Sequence, residues 1–280
     1  MKVRPGLVRG AVLTIAGFCL FVVCAYIFFP TSRINAAIDQ VLSTQGLSLT
    51  PAAHKTILPG LAWDDALLSS QQGPLLHFDH VAVRPLLLQL LLGRIVLAST
   101  ATRGAGQIVI EQRLTGRQTV QVNADKLELG QFPLFKTILG ARFGGSLWSE
   151  GLVTRGPKGW SGELKLEIRQ LGFSGIRMGA FSLPDADNLT SKGMVRVTDG
   201  RVRLESLTLQ GEGVYMRLSG DIPQGVNAES APLDMVLEIM PKPEFLEKQK
   251  LVFLLMAKFM ASPGVYRVPI KGTLLKPEIL

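Results

Sequence analysis

The feature that most constrains the fold of this chain is a period of two in its apolar residues, which begins at Leu75. From Glu163 to Arg169 the even positions are apolar and the odd ones charged. This pattern is typical of a strand with one solvated and one buried face. Similar alternation recurs as far as Leu233 to Ile239, and Asp199-Gly200 between two such runs indicates a hairpin. Since strands joined by tight turns are antiparallel neighbours, the sequence predicts a mainly β fold: an elongated, curved antiparallel meander, or open β-groove, with a few short covering helices.

Three segments break the period of two and are predicted as those helices. Pro85 to Gly93 is leucine-rich, opened by proline and closed by glycine, and Phe132 to Leu139 is a shorter segment. Pro243 to Ala261 is the longest, and its uncharged stretch is too short to span a bilayer. It either packs against the sheet or lies in a membrane interface. Replacing Leu251 or Leu254 by Asp is expected to destabilise the fold in the first case and to weaken membrane contact in the second.

An uncharged apolar run, Ala11 to Phe29, precedes the alternating region. At about 1.5 Å per residue it covers roughly the ~30 Å of a bilayer core, so it is predicted to be a single transmembrane anchor. Three basic residues precede the run and only Arg33 follows closely. This asymmetry predicts that residues 1–10 form a cytoplasmic tail. The length of the run favours a retained anchor over the alternative, a cleaved signal peptide.

The remaining chain is divided into two parts. Residues 30–46 are predicted to form a juxtamembrane amphipathic helix, which either covers the end of the sheet or lies on the bilayer. Residues 47–280 are predicted to form a periplasmic β domain that contains the helix 243–261. Cys19 and Cys24 both lie in the apolar run, so the rest of the chain forms neither disulfides nor cysteine-based zinc sites. The expected location is the inner membrane, with a single span, a cytoplasmic N-terminus and the bulk of the chain in the periplasm. A net charge of +8, spread along the sequence, fits an anionic membrane surface better than nucleic acid.

Residues suited to catalysis or metal binding are few. Of three histidines, His54 is isolated in the sequence, and the spacing of His77 and His80 predicts that they lie on opposite faces of a strand. His77 and Asp79 share a face but have no third partner nearby in the sequence. We therefore expect no catalytic, cofactor-binding or metal-ligating residues, no enzyme activity and no nucleic-acid partner.

Several segments resemble known families. Phe181 to Asp185, the strand Met216 to Ile222, and the ending Gly264 to Leu274 followed by Lys276-Pro277 resemble the bacterial type II secretion system protein N family. The order of an anchor, an amphipathic helix, Leu58 to Leu61 and a strand leading into the leucine-rich helix is also similar to the wider AsmA-like group of membrane-anchored β-groove proteins.

These two resemblances imply different functions. The first implies a non-enzymatic, inner-membrane-anchored periplasmic component of the type II protein secretion system, with the inner membrane and other subunits of that system as partners. The second implies the alternative, a groove that binds or transfers phospholipid in the cell envelope. The two are distinguished by whether helices seal the apolar face of the sheet or leave it open. The residues expected to line such a groove are Leu164, Leu166, Ile168, Leu233, Met235, Leu237 and Ile239.

Overall fold

The computed structural model describes Tyr26 and residues 30–178, 181–223 and 231–279. These residues form a mainly β structure dominated by one large open antiparallel sheet, so the predicted antiparallel meander is confirmed. The strands are β1 (Leu47–Thr50), β2 (His54–Lys55), β3 (Leu61–Ser70), β4 (Gly73–Pro85), β5 (Val96–Arg103), β6 (Gly106–Arg113), β7 (Thr119–Glu128), β8 (Arg142–Gly156), β9 (Gly159–Ser174), β10 (Arg177–Met178), β11 (Phe181–Ser182), β12 (Ala186–Thr198), β13 (Arg201–Gln210), β14 (Val214–Ile222), β15 (Asp234–Pro241), β16 (Met260–Ser262), β17 (Val265–Gly272) and β18 (Pro277–Ile279). The helices are α1 (Thr31–Thr44), α2 (Leu87–Leu91), α3 (Leu134–Leu139), α4 (Pro243–Lys248) and α5 (Lys250–Leu255), with 3-10 turns at Leu129–Gln131 and Ala257–Phe259.

The order of strands in the main sheet follows the sequence closely. It runs β1-β3-β4-β5-β6-β7-β8-β9-β12-β13-β14-β15-β17-β16, with β2 paired beside β1 on β3 and β18 beside β16 on β17. Strands β10 and β11 form a separate two-stranded sheet within the β9–β12 connection. Both outer edges therefore consist of strands of two to four residues, a device that limits pairing with other chains.

Connections alternate between the two ends of the strands because neighbouring strands are antiparallel. One end, called the α2 end, holds the loop 56–60 before β3, the β4–β5 connection with α2, and the β6–β7, β8–β9 and β12–β13 turns. The opposite end, called the α5 end, holds α3 and the long β15–β17 connection with α4 and α5. The predicted hairpin at Asp199-Gly200 joins β12 to β13, and both residues have the positive φ that a tight two-residue turn requires, 52° and 85°.

The helix predicted over 243–261 is wrong in extent. It consists of α4, α5 and a 3-10 turn, and the chain then enters β16. The helix breaks at Gln249, whose side chain donates to the Asp185 carbonyl at 2.6 Å and accepts from the Asp185 N–H at 3.0 Å. At that point φ is −120° and ψ is 33°, outside the helical region, although the Gln249 N–H still donates to the Phe245 carbonyl at 3.2 Å. The leucine-rich segment 85–93 contains only the five-residue α2.

The helix predicted over residues 30–46 is present as α1, and it packs on the first strands of the sheet. The Asn35 side chain accepts from the Ala53 N–H and donates to the Ala53 carbonyl, both at 3.1 Å. Ile38 packs against the small cluster formed by Ala53, Trp63 and Ala66. Among the described residues no helix has the length and apolar character needed to cross a membrane. The predicted span at Ala11 to Phe29 lies, apart from Tyr26, outside those residues.

Candidate ligand-binding face of the sheet

The helices of the α5 end pack against one face of the sheet, called the inner face. Its side chains form continuous rows that cross the strands, because each inner-face residue lies opposite another in the next strand. The first row lies nearest the α5 end and contains Leu127, Leu147, Ile168, Ser191, Leu209, Met216, Ile239 and Tyr266. The second contains Ala101, Ile108, Ala124, Ser149, Leu166, Gly193, Leu207, Leu218, Leu237 and Val268.

Two more rows lie towards the α2 end. The third contains Ser99, Ile110, Val122, Gly151, Leu164, Val195, Leu204, Gly220, Met235 and Ile270. The fourth contains Leu97, Gln112, Val120, Val153, Gly162, Val197, Val202 and Ile222.

Helices cover the first row and the C-terminal part of the others. From the β15–β17 connection, Phe253, Met256 and Phe259 are buried against the sheet. The Phe253 ring lies 5.1 Å from that of Tyr266 and 6.1 Å from that of Phe245. These contacts belong to the main core of the described residues.

The third and fourth rows are covered less completely from β5 to β14. Every residue of the fourth row is only partly buried, and so are the aliphatic side chains at the N-terminal part of the third. We call these partly exposed aliphatic side chains the open strip: Leu97, Ile110, Val120, Val122, Val153, Leu164, Val195, Val197, Val202 and Ile222.

The residues expected to line a groove divide between the covered and the open parts of this face. Leu233, Leu237 and Ile239 are buried in the main core, and Ile239 has no exposed surface. Leu164 belongs to the open strip, and Leu166 is partly exposed in the adjoining second row. Ile168 and Met235 are partly exposed but pack against the main core. The same alternation therefore produces both a core and an accessible apolar surface.

Small residues shape the open strip. Gly151 and Gly193 stand on the inner face next to leucines, and a Cβ on either would lie 2.5 Å from Leu164 Cδ1 or 2.7 Å from Leu207 Cδ1. These glycines therefore give the leucine side chains room to lie flat across the neighbouring strand. Ser149 and Ser191 are buried beside them, and neither Oγ atom has a hydrogen-bond partner among the described residues.

The histidines lie together near the start of the sheet, on β2 and β4. His80 Nδ1 is 2.7 Å from Asp64 Oδ1, and His54 Nε2 is 3.6 Å from Asp64 Oδ2. His54, isolated in the sequence, thus shares a carboxylate with His80. His77 Nε2 lies 2.5 Å from Asp65 Oδ1. Within the described ranges, no group of three or more histidine, cysteine or acidic side chains is arranged to hold a metal ion.

His77 and Asp79, which the sequence places on one face, bind different partners. Asp79 accepts from the Gly104 N–H at 2.7 Å and from Arg103 Nη1 at 2.5 Å. The Gly104 hydrogen bond, followed by the Arg103 guanidinium, lowers the pKa of Asp79 below its ordinary value. This carboxylate is therefore held ionised at a turn, which makes it a poor general base.

Charged side chains dominate the opposite, outer face of β9 and β12 to β14. Arg196 pairs with Glu163 at 3.1 Å and with Glu205 at 3.5 Å, and Arg203 pairs with Asp221 at 3.3 Å. All five side chains are substantially exposed. Exposed pairs of this kind contribute little to stability, so this face is the solvated side that the alternation predicts.

The inner face therefore combines an apolar core with an open apolar strip. Comparisons of the chain with protein-family models, with curated proteins and with solved structures found no match.

Proposed function

We propose that this protein is a non-enzymatic component of the cell envelope, anchored in the inner membrane with its bulk in the periplasm, which binds phospholipid acyl chains on the open strip. The observation that carries the proposal is the partial exposure of ten aliphatic side chains in two adjacent rows, next to a sealed core of the same composition. A contiguous apolar surface of this kind typically marks a binding site.

The dimensions of the open strip fit an acyl chain. It crosses eight strands, from β5 to β14, and at about 4.8 Å between neighbouring strands this is roughly 34 Å. An acyl chain spans about half of the ~30 Å bilayer core, so the strip is long enough for one chain lying across the strands. Gln112 is the single polar side chain in the fourth row. This composition suits a hydrocarbon chain, because such a chain forms no hydrogen bonds.

The free energy of binding favours a lipid ligand that exchanges between the open strip and the bilayer. Covering ten methylene groups contributes roughly 8 kcal/mol at about 0.8 kcal/mol each, while association itself costs about 4 to 15 kcal/mol. These two contributions, counted from water, are of similar size, so a bound acyl chain is expected to exchange with the bilayer.

The second proposed function is an accessory role in type II protein secretion, which the sequence resemblance implies. The observation that favours it is a second apolar surface, on α5. Leu251, Leu254 and Leu255 are 77%, 69% and 68% exposed there, although the helix has a packed face formed around Phe253. An exposed apolar helix face at the opposite end of the strands from α2 offers a docking surface for another subunit.

A photo-crosslinking residue, benzoylphenylalanine, tests the lipid proposal at position 164. Leu152 is the matched control, because it is also a leucine, lies on the neighbouring strand β8 and is 53% exposed on the outer face. The full chain is irradiated in the membrane, purified in detergent and analysed by native mass spectrometry. We expect phospholipid adducts from position 164 and none from position 152. Equal adducts at both positions, or none at 164, would contradict acyl-chain binding on the open strip.

The same reagent at position 254 tests the secretion proposal. Crosslinks to subunits of the type II secretion apparatus are expected at this position, and secretion of folded proteins is expected to fall when Leu254→Asp replaces the native residue. Unchanged secretion together with an absence of subunit crosslinks would contradict this role and leave the lipid proposal unaffected.

A further inference from the structure

Two neighbouring segments at the α2 end, 56–60 and 86–92, carry exposed apolar side chains. We call six of them the leucine patch: Ile57, Leu58, Leu87, Leu88, Leu91 and Leu92. Ile57 is fully exposed, and Leu91 and Leu88 are 85% and 73% exposed. Single exposed leucines are ordinary on protein surfaces, whereas clusters of them mark interaction sites.

The backbone holds the two segments of the leucine patch in place. The Leu86 N–H donates to the Val96 carbonyl at 2.9 Å, which closes the loop that carries α2. The other segment, 56–60, runs against the end of β4, since a Cβ on Gly60 would lie 2.8 Å from the Val83 carbonyl oxygen. The patch is therefore a fixed surface that presents its leucines outward from the end of the strands.

Tyr26, near the end of the apolar run, is bound directly to this surface. Its hydroxyl lies 2.9 Å from both the Thr56 and the Gly60 carbonyl oxygens, and donates its one proton to one of them at a time. Lys55 Nζ donates to the Tyr26 carbonyl at 2.9 Å. Tyr26 therefore lies beside the segment that carries Ile57 and Leu58.

The three chain segments that surround the patch carry charge of one sign, although Glu111 of β6 lies beside Arg94 and Arg113. Residues 55–60, 84–95 and 113–118 contain no acidic residue. Their basic residues are Lys55, Arg84, Arg94, Arg113 and Arg117. The third segment touches the second, because the Ile95 N–H donates to Thr115 Oγ1 at 2.9 Å. Exposed leucines bordered by basic side chains are the composition of a surface that inserts at an anionic lipid interface, with the cations at the phosphates.

We propose that the leucine patch inserts into the headgroup region of the bilayer that Ala11 to Phe29 is predicted to span. The inference rests on the anchoring in the proposed function and deepens it by orienting the sheet. The α2 end then faces the membrane and the α5 end faces away. The fourth row of the open strip, from Leu97 to Ile222, is the row nearest the lipid, so an acyl chain leaving the bilayer meets aliphatic side chains first.

Spin labels on the full chain in nanodiscs of zwitterionic and anionic phospholipid test this orientation. Variants Leu88→Cys and Leu251→Cys are made in a background where Cys19→Ser and Cys24→Ser remove the native thiols. The two leucines are matched in exposure, 73% and 77%, but lie at opposite ends of the strands. We expect the ratio of oxygen to nickel-chelate accessibility to be several-fold higher at position 88 than at position 251. Water-like ratios at both positions, or lipid-like ratios at both, would overturn the proposal.

A label on native Cys19, with Cys24→Ser alone, separates this inference from the anchoring on which it rests. If the label at Cys19 has lipid-like accessibility and the label at position 88 has water-like accessibility, insertion of the patch is overturned and the anchor is retained. A water-like Cys19 overturns the anchor as well.

Introducing negative charge into the patch completes the test. Leu88→Asp combined with Leu91→Asp is expected to leave the thermal unfolding temperature unchanged, because both side chains are exposed. In the same protein a label at Ile57→Cys is expected to change from lipid-like to water-like accessibility. A lipid-like label that persists in this variant would show that the leucines do not place the patch in the bilayer, and would overturn the proposal.

Discussion

The first five long strands, β3 to β7, and the later strands, β12 to β17, belong to one sheet and follow one alternation, but they are covered very differently. The main core contains 21 buried residues of the described chain, all from Leu129 onward. The earlier strands and their connections contain two clusters of three buried residues each. The difference lies in the connections. The β15–β17 connection folds α4 and α5 back over the inner face, whereas α2 turns its leucines outward.

This contrast shows that an amphipathic strand and the connection that packs over it have different roles. Alternation makes an apolar face, and a connection long enough to return over that face converts it into a core. Where no connection returns, the face stays available to a ligand. Local stability is therefore expected to differ along the sheet. The backbone amides of the later strands should be better protected from hydrogen exchange than those of the earlier strands, which should unfold locally more often.

The largest expected effect comes from placing a charge in the covered region. Val268 has no exposed surface and lies opposite Leu237 between β15 and the C-terminal edge. Val268→Asp buries an unpaired carboxylate, and we expect a loss of at least about 3 kcal/mol in the free energy of unfolding. Urea denaturation followed by circular dichroism measures it. Leu152→Asp on the outer face is the control, with an expected change within about 0.5 kcal/mol. Similar losses of unfolding free energy in the two variants would contradict the assignment of a buried inner face and a solvated outer face.

A smaller effect is expected from trimming the cover itself. Phe253 is 3% exposed and its sequence neighbour Leu254 is 69% exposed. Phe253→Ala is expected to cost about 3 kcal/mol through lost contacts with Tyr266 and the cavity left behind. Leu254→Ala is expected to change stability by less than about 0.5 kcal/mol. The two variants are compared by thermal and urea unfolding.

Trimming Phe253 also tests whether covering is what distinguishes the core from the open strip. Phe253→Ala exposes more of the first row, so the amount of phospholipid that co-purifies with the protein is expected to rise, while Leu254→Ala leaves it unchanged. A folded Phe253→Ala protein with unaltered phospholipid content would indicate that the covered rows are closed to lipid for another reason.

The sheet could be predicted from the sequence because its signals are local. Alternation from Glu163 to Arg169 and the turn at Asp199-Gly200 each depend on a few adjacent residues, and the structure contains both the strand and the hairpin. The break in the helix predicted over 243–261 coincides with a contact 64 residues away, between Gln249 and Asp185, and its end coincides with the pairing of β16 with β17. No periodicity within the segment carries that information.

The candidate site could be predicted only in part for the same reason. Leu164 and Ile239 follow the same strand pattern and lie on the same face, but α5 and its neighbours cover only Ile239. Sequence alternation identifies the face and cannot tell which rows the connections cover. The association of His54 with His80 through Asp64 likewise requires the register of β2, β3 and β4.

A modest effect is expected from pH in the less covered region. The Gly104 N–H and Arg103 lower the pKa of Asp79 below 3.8, its ordinary value. A depressed pKa in the folded state means that the ionised carboxylate stabilises the fold above about pH 4, and that this contribution is lost as the pH falls through the folded-state pKa. Carboxyl-carbon NMR titration is expected to show the low pKa. The drop in the urea midpoint between pH 6 and pH 3 is expected to be smaller in Asp79→Asn, and an equal drop in both proteins would contradict this contribution.

The smallest expected effect on stability distinguishes the two faces of α5. The sequence left this segment as either a sheet-packed helix or an interfacial one, and Leu251→Asp was expected to destabilise the first. In the structure the helix packs against the sheet through Phe253, whereas the Leu251 side chain is exposed. The helix is therefore packed on the sheet, but Leu251 is not part of that packing. We expect Leu251→Asp to shift the free energy of unfolding by less than about 0.5 kcal/mol, measured by urea denaturation. A loss above about 1 kcal/mol would mean that Leu251 is covered in solution. The exposed side of α5 would then belong to the core, and the docking surface proposed for a secretion subunit would no longer exist.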